Sequence, residues 1–160
     1  MNEKDFMDLA IDLSDDNFEK NYGGPFGACI VKDGKIVGKG INQVIKDQDP
    51  TAHAEIKAIR DACKNLGTHD LTGCELYTSC YPCPMCLSAI IWANIKKVYY
   101  GNTKEDAADI GFRDDFIYDY MFKVGKGHVD NNILNLNSMN REQAIEVFKR
   151  YKEDKDKITY

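Results

Sequence analysis

The sequence predicts an α/β domain of three layers, a mixed sheet with helices on both faces. Two observations carry this: an opening helix leads into an Asp-Gly hairpin, and after the hairpin helical and extended patterns alternate. A third is negative, since no internal repeat, low-complexity tract or Pro/Gly/Ser-rich linker divides the chain, so residues 1–160 read as a single domain.

Phe6, Leu9, Ala10 and Leu13 keep helical spacing among acidic residues, which predicts a first helix ending before the breaker at residues 21–25. Residues 26–31 and 36–41 are two apolar, β-branched runs closed by Asp33 and Gly34, the dipeptide of a tight hairpin turn. An irregular polar stretch follows. Thr51 is the expected N-cap of the next helix, whose core side carries Ala54, Ala58, Ile59 and Ala62. Residues 76–79 read as a third strand. Residues 85–93 read as a small-residue, all-round apolar helix that should be buried, and residues 96–101 as a fourth strand. Beyond residue 105 the pattern weakens to short helices near 106–108 and 115–121, an edge strand near 133–136, and a last helix from Arg141 that continues through the charged residues 152–157.

Composition narrows the function. With 21 Lys+Arg against 26 Asp+Glu the net charge is -5, the wrong sign for a domain that binds by neutralising phosphates, so a nucleic-acid partner is disfavoured. No apolar run is long enough for a membrane helix, and the charged start lacks the apolar core of a signal peptide; a cytoplasmic protein is expected. In a reducing compartment, clustered cysteines point to metal or redox chemistry rather than disulfides. Cys29, Cys63 and Cys74 are isolated and read as core fillers, whereas Cys80, Cys83 and Cys86 recur at three-residue intervals.

The chemistry is concentrated in His53-Ala54-Glu55 and in Cys83-Pro84-Met85-Cys86, each at the start of a predicted helix. Residues three apart share a helix face, so two sulfurs can reach one ion, and His53 from a neighbouring helix start would complete a His-Cys-Cys set with one tetrahedral corner open. Thiolate and imidazole donors suit zinc, whose remaining ligand would be water with its pKa brought to about 7. Glu55, on a different azimuth from His53, is a general base then general acid rather than a ligand. The spacing His-x-Glu with Pro-Cys-x-x-Cys is the signature of zinc-dependent nucleobase deaminases. Blander readings remain open: a redox Cys-x-x-Cys, or a closed structural zinc site with Cys80, His69 or His128 as fourth donor.

These motifs, together with GGPFGA (23–28), IVKDG (30–34), DPTAHAE (49–55), AIR (58–60), LYTSC (76–80), PCPMCL (82–87) and GFRDDFIY (111–118), resemble the cytidine and deoxycytidylate deaminase superfamily. Within it the chain is similar to the bacterial guanine deaminases, chiefly through Asp114 to Tyr118 and an aromatic last residue. The resemblance implies a cytidine-deaminase-like fold, one zinc ion per subunit on His53, Cys83 and Cys86, and hydrolysis of guanine to xanthine and ammonia in purine catabolism or salvage. It further implies Glu55 as proton shuttle, Asp114 in proton transfer at the amino group, and Phe26, Asn42, Ala54, Trp92 and Tyr160 at the base. A homodimer that exchanges its C-terminal segment, so that Tyr160 closes the partner's site, is also implied. Read without the resemblance, Asp114 is a helix N-cap, Asn42 a turn residue, and Phe26 and Trp92 core aromatics. Tyr81 departs from the pattern, because relatives usually place Glu there. Other amino-heterocycles remain alternative substrates: adenosine in tRNA, cytosine or a nucleoside, or an amino-triazine.

Overall fold

In the computed structural model, which describes residues 1–160, the chain opens with α1 (Glu3–Lys20), started by a reciprocal cap between Asn2 and Asp5 and ended by Asn21 in the left-handed region. Near its end, the buried Asn17 amide donates to the carbonyls of Gly24 and Asn42, at 2.7 and 2.9 Å, which fastens the helix to two loops. β1 (Gly27–Lys32) and β2 (Lys35–Ile41) form the expected hairpin. Its turn residues Asp33 and Gly34 have φ of 49° and 72°, the double positive φ that matches strand twist.

The remaining elements are α2 (Val44–Asp47), α3 (Ala54–Leu66), β3 (Cys74–Cys80), α4 (Pro84–Trp92), β4 (Lys97–Asn102), α5 (Lys104–Asp109), α6 (Asp114–Gly125) and α7 (Arg141–Glu153). The sheet order is β2-β1-β3-β4, with β1 antiparallel to both neighbours and β3 parallel to β4. α4 makes the crossover that a parallel pair requires.

Alternation in β1 explains the layers. Ala28 and Ile30 face a cluster containing Ala54, Ala58 and Ala62 of α3, Leu76 and Ile90, while Cys29 and Val31 face Phe6, Ala10 and Tyr77. Helices therefore cover both faces, as the sequence predicts. Ile30 and Leu76 are fully buried, and such burial contributes about 1.5–3 kcal/mol per side chain. α3 lies close on β2 because Gly38 and Gly40 face it: a Cβ at residue 40 would stand 2.1 Å from the Ala54 carbonyl oxygen.

Several local expectations are corrected. Thr51 does not cap α3; its amide and hydroxyl are both taken by Asp49 Oδ1, at 2.8 and 2.7 Å, and His53 occupies the N-cap position instead. The polar stretch before it contains the short α2. α4 is not buried all round: Cys86 and Ile90 are inside, but Ile91 and Trp92 are exposed. Residues 133–136 form no strand, and α7 ends at Glu153, so of the charged tail only Lys152 and Glu153 continue it.

The chain divides into two compact units, Met1–Asp119 and Tyr120–Tyr160. The first holds the sheet. The second holds the rest of α6 and α7, and none of its residues is buried.

Candidate active site

Two helix starts meet above the C-terminal end of β3. His53 is the N-cap residue of α3; Cys83 is the N-cap residue of α4, Pro84 follows at the first helical position, and Cys86 lies one turn in. Proline there is pre-organised for a helix and sacrifices only an amide that has no helical partner. The Cys83 sulfur stands at the start of α4, where the Cys86 backbone amide favours its thiolate.

The donor atoms of His53, Cys83 and Cys86 all lie within 4.8 Å of one another. His53 Nδ1 is 3.5 Å from Cys83 Sγ and 3.7 Å from Cys86 Sγ. Zinc bonds of about 2.3 Å to sulfur and about 2.0–2.1 Å to nitrogen, at tetrahedral angles, put those atoms about 3.6 Å apart. The three side chains fit the ion as they stand. Cys80 is outside the set, its Sγ turned to the Thr103 carbonyl at 3.6 Å, and His69 and His128 are exposed. The open-corner reading thus fits better than a closed four-donor site.

Electrostatics follow from the packing. The Cys86 hydrogen bond and the His53 imidazole hold the Cys83 thiol well below the ordinary thiol range, and the same Cys83 pushes Cys86 up. The Cys83 sulfur raises His53. Glu55, in the first turn of α3, is 6% exposed, and burial raises its carboxyl pKa. Its Oε1 accepts from Thr78 Oγ1 at 2.9 Å and its Oε2 from Cys86 Sγ at 3.3 Å.

Beside these groups opens a cleft lined by Phe26, Asn42, His53, Ala54, Glu55, Cys80, Tyr81, Cys83, Phe112 and Asp114. Phe26 and Phe112 pack edge to face, centroids 4.8 Å apart and planes at 80°. Asn42 is buried and its Oδ1 accepts from the Val44 amide at 3.1 Å, so it shapes a turn and lines the cleft at once. Asp114 opens α6, and burial followed by the Cys83 charge raises its pKa.

Of the residues the sequence nominates, the structure brings Phe26, Asn42, His53, Ala54, Glu55, Cys83 and Asp114 to this cleft, with Cys86 behind it in the donor set. Trp92, at the far end of α4, and Tyr160, in the second unit, are both exposed and not among its lining residues. Sequence reasoning gave no role to Phe112 or Thr78. Phe112 lies inside the GFRDDFIY block and Thr78 inside LYTSC, but only the fold brings them to Phe26 and Glu55.

A mixed sheet bearing a His-Cys-Cys donor set, an open corner and a buried carboxyl defines an enzyme of the zinc-dependent deaminase class. Residues 1–102 match the family model of the cytidine and deoxycytidylate deaminase zinc-binding region, and the chain belongs to that family. Guanine deaminase of Bacillus subtilis is 54% identical over 118 residues, covering 74% of this chain and 76% of the relative. A tRNA-specific adenosine deaminase of Aquifex aeolicus is 44% identical over 100 residues, 62% of this chain and 66% of the relative. The X-ray structure of the Bacillus subtilis guanine deaminase superposes with a TM-score of 0.91 at 42% identity, covering 100% of this chain and 99% of that one. A guanine deaminase structure from Nitrosomonas europaea gives a TM-score of 0.67 at 32% identity, covering 71% and 65%.

Proposed function

We propose that this chain hydrolyses guanine to xanthine and ammonia. The observation that carries the reading is the whole-length likeness to a guanine deaminase structure, joined to a cleft whose aromatic pair, Phe26 and Phe112, flanks the donor set and Glu55. Such walls suit a flat base.

Zinc held by His53, Cys83 and Cys86 supplies Lewis-acid activation of water at neutral pH. The rest of the chemistry falls to the chain's own groups. Glu55 accepts a proton from the attacking water and delivers it to guanine N3 as the water oxygen bonds to C2. The C2 to amine bond then breaks while the nitrogen takes the remaining proton of the former water, lost from the C2 hydroxyl, and departs as ammonia, leaving the C2 carbonyl of xanthine. A raised carboxyl pKa suits both halves of that traffic, and Thr78 keeps one oxygen of Glu55 fixed. Asp114 handles the proton at the amino group, Asn42 holds the polar edge of the base, and Phe26 and Ala54 bound its plane.

The reading extends to the assembly. A single deaminase domain over residues 1–160 works as a homodimer that exchanges its C-terminal segment, so that Tyr160 closes the partner's site. The exposure of Leu136, Met139 and Phe148 in the second unit, and of Ile91 on α4, supports an apolar interface. Six free thiols suit the cytoplasm, and no helix is long and apolar enough to cross a membrane.

The test is ammonia release by the zinc-loaded protein from guanine, guanosine, adenine, cytosine and ammeline. Turnover of guanine is expected; silence on guanine with turnover of another heterocycle overturns the substrate. A tRNA substrate is disfavoured by the net charge of -5.

A further inference from the structure

Asp114 reaches the cleft from the first turn of α6, a helix with no buried residue of its own. A few side chains must hold that turn. Phe112, two residues earlier, is packed on Phe26. Tyr118, four residues later and hence on the same face of the helix as Asp114, donates its hydroxyl to the carbonyl oxygen of Pro82. Pro82 is fully buried and immediately precedes Cys83, so Tyr118 satisfies an acceptor at the root of the metal-binding turn.

The tyrosine is itself fixed from two sides. Its ring centroid is 6.2 Å from that of Tyr81, and the Lys104 ammonium stands 4.9 Å from the Tyr118 ring and 5.4 Å from the Tyr81 ring. Tyr81 in turn packs edge-on against Tyr100 of β4, with centroids 4.9 Å apart. Lys104 of α5 and Tyr81 of the loop before α4 thus hold the Tyr118 ring, and Tyr100 of β4 backs Tyr81 in turn.

We propose that Tyr118 is a positioning residue for Asp114: by tying α6 to the segment that carries Cys83, it sets the reach of the Asp114 carboxylate to the reacting atoms. The inference rests on the role given to Asp114 above. Both residues bear on one proton transfer, one directly and one through the helix between them.

The experiment compares wild type, Tyr118→Phe, Asp114→Asn and the double variant as zinc-loaded protein, on guanine or whichever heterocycle the substrate panel identifies. Misplacement without loss of the group predicts kcat lowered about 10- to 100-fold in Tyr118→Phe. KM should stay within about twofold, the sign of a contact that matters only in the transition state. Zinc content is expected to stay at one ion per chain. In the Asp114→Asn background the same change should cost nothing further, since the group being positioned is gone. A crystal structure of zinc-loaded Tyr118→Phe should show the Asp114 carboxylate displaced from its wild-type place. Unchanged kcat, a rise confined to KM, loss of zinc, an equal loss in both backgrounds, or an unmoved Asp114 each overturns the proposal. An impaired Asp114→Asn with an additive double variant removes this inference alone, whereas full activity in Asp114→Asn removes the role of Asp114 and this inference with it.

Discussion

Thr78 and Glu55 stand 23 residues apart in the chain and 2.9 Å apart in space, hydroxyl to carboxyl oxygen. Thr78 is fully buried on β3, and Glu55 is in the first turn of α3. The bond therefore locks the carboxyl to the sheet rather than to its own helix, and leaves proton exchange to an oxygen of known place. Buried polar groups without partners are costly, so a carboxyl this deep needs such a tether to remain ordered.

Glu55→Gln keeps the shape of that group and its bond from Thr78 but cannot carry a proton. Turnover is expected to fall by about 10²- to 10⁴-fold, the usual worth of a general acid-base group. Zinc content and melting temperature should be unchanged, which ammonia assay, metal analysis and calorimetry would establish. Activity within tenfold of wild type would deprive Glu55 of its role.

Removing a donor should act on the ion instead. His53→Ala and Cys83→Ser each leave two protein ligands, and both are expected to be purified with sub-stoichiometric zinc and little turnover. Dialysis of wild type against a chelator should abolish activity and added zinc restore it. A variant that retains a full complement of zinc would exclude that residue from the ligand set.

The thiols offer a test by pH. In metal-free protein the Cys83 thiol is held below the ordinary range by the Cys86 hydrogen bond and by His53, so its thiolate persists as pH falls through neutrality. Burial pushes Cys29 up to about 11 and Cys80 up to about 12, so both are protonated at pH 7 and inert. Iodoacetamide should label Cys83 first after chelation. Lowering the pH from 7 to 6 should leave that labelling rate nearly unchanged, whereas an ordinary thiol slows about tenfold. Peptide mass spectrometry reads the order of labelling; Cys29 or Cys80 ahead of Cys83 would contradict it.

Gly24 tests the aromatic walls. A Cβ there would stand 2.6 Å from Phe112 Cζ and 2.7 Å from Phe26 Cε2, so Gly24→Ala must spread the pair. KM for guanine is expected to rise about tenfold with kcat much less affected, as for lost binding common to ground and transition states. Steady-state kinetics decide, with zinc content as the control.

The legible part of this protein was the part written in short range. The Cys83 and Cys86 spacing, the adjacent helix start, and His53 two residues before Glu55 are local patterns, and local patterns survive into the fold. The hairpin was legible for the same reason, since Asp33 and Gly34 fix their own turn. Misreadings occurred where a neighbour or a missing partner decided. Thr51 has the chemistry of an N-cap, but Asp49 captures it two residues away. Residues 133–136 are apolar enough for a strand yet have no strand to pair with. Phe112 and Thr78 were illegible because their meaning depends on convergence with Phe26 and Glu55 across the tertiary fold.

The flush seating of α3 upon the hairpin carries a liability that the cleft does not advertise. A single methyl added at Gly40 would collide with the carbonyl oxygen of Ala54, the residue joined directly to His53. The helix would have to lift, taking its imidazole with it while the two sulfurs stayed behind on α4. Loss of metal would then originate in a strand that bears no reactive group, and random mutagenesis screened for inactive protein should recover lesions in β2 alongside those in the donors themselves.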